Sequence, residues 1–151
     1  MSRVGLIGEN SIEYIENLID IWNSGNCAVL IDWRIPFRMA VEMMKEAKVS
    51  VCYLEDGKYE IQDYFSGIDF IKYKRKSNIA EILPIEIYDK FKNNYSRKEA
   101  VVLYSSGTTG KAKGIILSHY AINTNADAII DYMKLTVNDC IYIAKVLSHS
   151  S

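Results

Sequence analysis

Tyr104-Ser105-Ser106-Gly107-Thr108-Thr109-Gly110-Lys111-Ala112-Lys113-Gly114 brings together three of the chain's eight glycines, four aliphatic hydroxyls and two lysines. Glycines let a backbone come close to an anion, hydroxyls and main-chain N–H groups donate to its oxygens, and lysine supplies charge. That is the composition of a loop that grips phosphate. It is not a Walker loop, because the Gly-x-x-x-x-Gly-Lys-Ser/Thr pattern is absent. A P-loop nucleotidase is therefore disfavoured. Apolar runs at 100–103 and 115–117 flank the loop and place it between two strands.

Continued through Leu117-Ser118-His119, the loop resembles that of the adenylate-forming (AMP-binding) ligases, whose pattern is Ser/Thr-Ser-Gly-Thr/Ser-Thr-Gly-x-Pro-Lys-Gly. The chain departs from it at Ala112, where the family has proline. Without that ring φ is less restrained, and the loop is expected to be slightly looser. Upstream, Asn10-Ser11-x-Glu13-Tyr14 and the run from Trp22 to Asp32, followed by Pro36, resemble early blocks of the same ligases.

The resemblance implies ATP-dependent activation of a small carboxylic acid, with Mg2+ on the nucleotide. Transfer to a thiol, coenzyme A or a carrier pantetheine, would follow. On this chain it implies that Ser105, Ser106, Gly107, Thr108, Thr109, Gly110 and Gly114 form the phosphate cradle and that Lys113 neutralises charge in the first step. Lys111, at a variable family position, adds field. It also places His149 where acyl- and aryl-CoA ligases carry the histidine of a Pro-Leu-Phe-His-like block, near the acyl pocket and nucleotide; here Val146 and Ser148 replace the proline and the aromatic residue. Amino-acid-selecting domains tend to hold an aspartate at the equivalent place. Its absence tilts the substrate toward a simple carboxylic acid.

The elements that must position these residues are legible from periodicity. Residues 4–8 read as a buried strand. Asn10 is placed to cap a helix with Glu13 reaching back, and Ile12, Ile15, Leu18, Ile19 and Trp22 follow at helical spacing up to Gly25. Residues 27–32 form a second strand. A second helix carries Phe37, Val41, Met44 and Ala47 with Pro36 near its first turn, and 49–54 form a third strand. This β-α-β-α-β order predicts an α/β fold, a largely parallel sheet covered by helices, with the Met and aromatic stripes as core. By the resemblance it is an N-terminal portion of the large domain of an adenylate-forming enzyme. Past the loop, Ser118 caps a helix with Ile122, Ala126, Ile129, Ile130 and Met133 on its apolar side, and 140–144 read as a further strand. His119 follows the cap and is expected to be structural.

Residues 72–98 carry a local balance of +5 in a chain whose total is −1. Their densest cluster is Lys72, Tyr73, Lys74, Arg75 and Lys76. We read this stretch as a solvated basic loop leading into the phosphate-loop strand, which divides the chain into 1–71, 72–98 and 99–151. A polyanion such as ATP or coenzyme A would gain from that field. A hydrophobic share of 49% and a charged share of 25% are ordinary for a globular domain. The net charge argues against a general nucleic-acid binder. No apolar run approaches the ~18 residues of a membrane span, and no signal peptide is expected. Cys27, Cys52 and Cys140 lack metal-ligand spacing, and a cytoplasmic location with reduced thiols is the default.

The resemblance covers nearly all of this chain but an early part of the family's length. The adenine clasp, the ribose-binding aspartate, the hinge and the C-terminal domain with its lysine have no counterpart here. The expectation is thus an N-terminal fragment that does not complete adenylation unaided and whose partner is the missing C-terminal part. The alternative is a non-catalytic phosphate-binding or assembly module. A sheet cut part-way would also expose an apolar face and promote self-association.

Overall fold

A computed structural model of the chain describes residues 1–60, 67–76, 93–105 and 110–148. The described elements are β1 (Arg3–Ile7), α1 (Ile12–Asn23), β2 (Cys27–Ile31), α2 (Phe37–Glu46), β3 (Val51–Glu55), β4 (Asp69–Tyr73), β5 (Glu99–Ser105), β6 (Lys113–Ser118) and α3 (His119–Met133). The strands form one sheet in the order β4-β3-β1-β2-β5-β6. All neighbours are parallel except β5 and β6, which pair antiparallel. The α/β architecture expected from the sequence is the one observed.

Successive strand residues point to opposite faces, so a strand covered on both sides must be apolar throughout. All five residues of β2 are buried. On one face Ile7, Val29, Ile31 and Leu54 pack with Ala40, Val41 and Met44 of α2. On the other, Leu6, Ala28, Leu30 and Val101 pack with Tyr14 and Ile21 of α1. The chain order explains this. The β1-α1-β2 and β2-α2-β3 connections run in opposite directions along the sheet, and right-handed crossovers then put their helices on opposite faces. Each fully buried Leu or Ile contributes about 1.5–3 kcal/mol of transfer free energy. Cys27 and Cys52 belong to this core; burial pushes the Cys27 thiol up to about 11 and raises that of Cys52.

Four local expectations are corrected. Ser11, one residue later than expected, caps α1: its Oγ accepts from the Tyr14 N–H at 3.0 Å. Asn10 is spent elsewhere, and Glu13 accepts from the Lys76 N–H. Lys72 and Tyr73 lie in β4, because Asp69–Tyr73 pairs residue for residue with Val51–Glu55. Residues 140–144 form no strand. Ile141, Tyr142 and Ile143 are exposed and belong to no ladder among the described residues. The cap of α3 is as expected, Ser118 Oγ accepting from the Ala121 N–H at 3.1 Å, but Ile129, Ile130 and Met133 face outward. No helix among the described residues is long and apolar enough to cross a membrane.

Candidate functional site

Strand register sets the floor of the site. Ile7 pairs with Ile31 and with Leu54, while Val29 pairs with Val102. The carboxyl ends of β1, β2, β3 and β5 therefore lie on one edge of the sheet, where open α/β sheets hold ligands. Gly8, Asp32, Glu55 and Ser105 are on that edge.

The glycine-rich loop joins β5 to β6 there. Ser105 pairs with Lys113 and Tyr104 with Gly114, so the hairpin closes as far as its last described residues on each side. Ser106, Gly107, Thr108 and Thr109 lie outside the described residues. Gly110 has φ +83°, a conformation that favours glycine. The base of the hairpin is fixed to α2, because the half-buried Tyr104 donates its Oη hydrogen to the Met43 carbonyl at 3.0 Å. Lys111 Nζ lies 2.8 Å from Glu46 Oε1 in the last turn of α2. That hydrogen-bonded carboxylate raises the Lys111 pKa. Lys113 is exposed and has no ion pair among the described residues. Two cations thus stand at the hairpin mouth, one engaged and one open to an anion.

Toward β1 and β3 the same edge is filled by charges that satisfy one another. Glu55 is buried; its Oε2 accepts from the Glu9 N–H at 2.7 Å and its Oε1 from Arg75 Nε at 3.0 Å. Arg75 also lies 3.1 Å from Glu9. Lys58 pairs with Glu9 and sits 4.0 Å from the Trp33 ring centroid. The Lys58 hydrogen bond holds the Glu9 carboxyl below its ordinary range. Asp32 is taken by Arg34 at 2.6 Å. A buried carboxylate is tolerable when paired in this way, and the network seals this part of the edge. Among the described residues no group of three or more His, Cys, Asp or Glu is arranged to hold a metal.

His149 lies outside the described residues. The segment before it does not: Asn10 holds Lys145 and Leu147 beside the turn after β1. His119 is buried with its ring edge-on to Trp22 at 5.2 Å, and burial lowers its pKa, consistent with a structural role. Sequence reasoning missed Glu46, Glu55 and the Asn10 contact. Each is a tertiary contact, and none has a local sequence signal.

The AMP-binding enzyme family model matches residues 1–150. The chain belongs to the AMP-binding enzyme family. Its relatives include a malonate–CoA ligase of Arabidopsis thaliana, 22% identical over 91% of this chain and 24% of the relative. Another is a 2-succinylbenzoate–CoA ligase of Bacillus cereus, 29% identical over 91% of this chain and 26% of the relative. The chain spans about a quarter of the length of these curated relatives. Among solved structures, O-succinylbenzoate coenzyme A synthetase from Bacillus subtilis in complex with AMP superposes with a TM-score of 0.75 at 18% identity, over 98% of this chain and 37% of that one. ATP-bound MatB from Rhodopseudomonas palustris gives 0.69 at 19% identity, over 91% and 29%.

Proposed function

We propose that this chain supplies the phosphate-gripping wall of an ATP-dependent acid–thiol ligase. The observation that carries the reading is the β5–β6 hairpin, whose Ser105–Lys113 pair stands at the carboxyl end of the sheet with Lys111 close by. The names of the relatives, CoA ligases for malonate and 2-succinylbenzoate, support a small carboxylic acid as substrate and coenzyme A as acceptor. Neighbours solved with AMP and with ATP support the nucleotide.

In the first half-reaction a carboxylate oxygen bonds to the α-phosphorus of ATP while that phosphorus releases pyrophosphate. Charge builds on the leaving pyrophosphate, and fixed donors aimed at it lower the barrier. Lys113 is the open cation for that task. Ser105, Ser106, Gly107, Thr108, Thr109, Gly110 and Gly114 hold the outer phosphates through hydroxyls and main-chain N–H groups, and Lys111 adds field. Mg2+ would arrive on the phosphate oxygens, because the described carboxylates at this edge are paired with Arg34, Arg75 and Lys58. In the second half-reaction a thiol takes the acyl group and AMP leaves. The resemblance of its sequence block would put His149 beside the acid.

We further propose that the rest of the site comes from parts of the fold outside this quarter, so the 151-residue chain alone does not complete adenylation. The measurement is acid-dependent exchange of labelled pyrophosphate into ATP across fatty and aromatic acids. No exchange is expected from the chain alone; turnover near the ~10 s⁻¹ typical of enzymes would overturn this division. A second reading, a non-catalytic assembly module, is favoured by one observation: Ile129, Ile130, Met133, Val137 and residues 141–143 are exposed together in sequence. Translation of the gene past the codon for Ser151 separates the two. A continuing frame or adjacent gene encoding the remaining blocks supports the ligase, and its absence supports the module.

A further inference from the structure

α3 is anchored at its start and exposed at its end. Ser118 caps it, the His119 N–H donates to the Lys98 carbonyl, and the Tyr120 N–H donates to the Ser96 carbonyl. Asn123 Nδ2 donates to the Asn94 carbonyl, and Ile122 packs against the core cluster that contains Leu30 and Val101. From Asp127 to Lys134, by contrast, every residue is exposed. These last two turns carry Ile129, Ile130 and Met133 into solvent.

A helix in water owes most of its stability to packing an apolar face. Met133 lies three residues from Ile130 and four from Ile129, so it neighbours both on the helix surface and the three form one patch. Charge brackets that patch. Asp127, Ile130 and Lys134, three and four residues apart, lie along one stripe, negative toward its amino end and positive toward its carboxyl end. Two such stripes laid antiparallel about a two-fold axis near Ile130 bring each Lys134 to the other copy's Asp127, with the apolar side chains between them. Parallel copies would set like charge against like. Lys134 lies 3.1 Å from its own Asp131, but the two side chains are 80% and 86% exposed, and an ion pair that open to water does little to hold Lys134 back.

We propose that the exposed half of α3 is an interaction surface whose partner is a second copy of this chain, the two helices pairing antiparallel across a two-fold axis. The same patch serves both copies, so the contact closes on itself and the product is a dimer rather than a filament. It uses no residue of the β5–β6 turn and is independent of the function proposed above. One helix pair is small beside the ~800 Å² per partner of a standard interface. The dimer is therefore reversible, with a Kd of about 1–100 μM.

The test is sedimentation equilibrium of the whole chain at about 1 to 500 μM, a range that brackets that Kd. The wild type should pass from monomer to dimer. Ile130→Glu should weaken dimerisation at least about tenfold, with an unchanged circular dichroism spectrum. Asp127→Lys and Lys134→Glu should each weaken it as well. Together, the two charge exchanges should dimerise at least about fivefold more tightly than either alone, a coupling that a merely sticky surface does not give. They carry the test if Ile130→Glu does not fold. A monomer at every concentration overturns the proposal, and is the result expected if further residues of a longer chain cover α3 instead. Oligomers beyond the dimer overturn the two-fold pairing. So does a dimer indifferent to Ile130→Glu, or a double exchange no tighter than the single ones.

Discussion

Trp22 Nε1 donates to the Ala100 carbonyl at 2.8 Å, joining α1 to the strand that leads into the phosphate loop. Ala100 is fully buried, so the indole satisfies an acceptor that water does not reach. Trp22→Phe keeps an aromatic ring and removes the donor. An unpaired buried acceptor costs about 1–3 kcal/mol, which the urea unfolding midpoint measures. A loss below about 0.5 kcal/mol, the size of a neutral surface change, would contradict this role.

The other face of the Trp22 contact titrates. Burial lowers the His119 pKa below the ordinary 6.5. Below that value the unfolded chain binds more protons than the folded one, so stability present above it is lost as the pH falls toward the folded value. Glu9 and Glu99 have pKa values lowered from 4.5, mainly by hydrogen bonds from Lys58 and Arg3, and their contribution is lost below that value. The two windows are separate. Urea midpoints compared at about pH 7.5 and 5.5 should fall for the wild type and fall less for His119→Phe. An equal fall in both would remove His119 as the cause.

At the carboxyl end of β1, a Cβ on Gly8 would lie 2.0 Å from Tyr73 Oη. That hydroxyl donates to the Ile7 carbonyl at 3.3 Å, so the Tyr73 side chain reaches from β4 to the turn after β1. Gly8→Ala should cost about 1–3 kcal/mol through overpacking. Adding Tyr73→Phe removes the obstructing oxygen and should recover part of the loss, a coupling read by a double-mutant cycle. Additive losses would contradict the close approach.

On the function proposed above, Glu46 would compete with phosphate for Lys111, with which it is paired at 2.8 Å. Both side chains are exposed, at 80% for Lys111 and 54% for Glu46, so Glu46→Gln should leave the urea midpoint unchanged. Inorganic tripolyphosphate should bind roughly two- to threefold more tightly once the carboxylate is gone, with the gain shrinking as salt is added. Isothermal titration measures it. Weaker binding would mean that Glu46 orders the loop for its ligand rather than competing with it.

The elements with the strongest periodicity were legible in sequence. The all-apolar β2 and the spacing of α1 and α2 follow from the need to bury both faces of a parallel sheet. The β5–β6 hairpin was legible from its glycine-rich centre. β4 was missed because an outer strand needs few buried residues, and Asp69 and Lys72 break its apolar run. Residues 140–144 were misread for the converse reason. Their run of apolar, β-branched and aromatic residues suits a strand, but pairing is a tertiary matter, which local sequence does not encode. The cap of α1 slipped by one residue because Asn10 and Ser11 are both good caps, and the distant bonds to Lys145 and Leu147 decide between them. The positions of Glu9, Glu55, Lys58 and Arg75 become a network through tertiary packing alone.

The central claim is that the turn between β5 and β6 grips the outer phosphates of a nucleotide. Titrating the chain with inorganic tripolyphosphate and following backbone amide shifts tests it most directly. The account predicts saturable shifts concentrated at 105–114, abolished by Lys113→Ala with the remaining spectrum native. Shifts centred on the basic residues of 72–76, or none in the turn at saturating ligand, would contradict it.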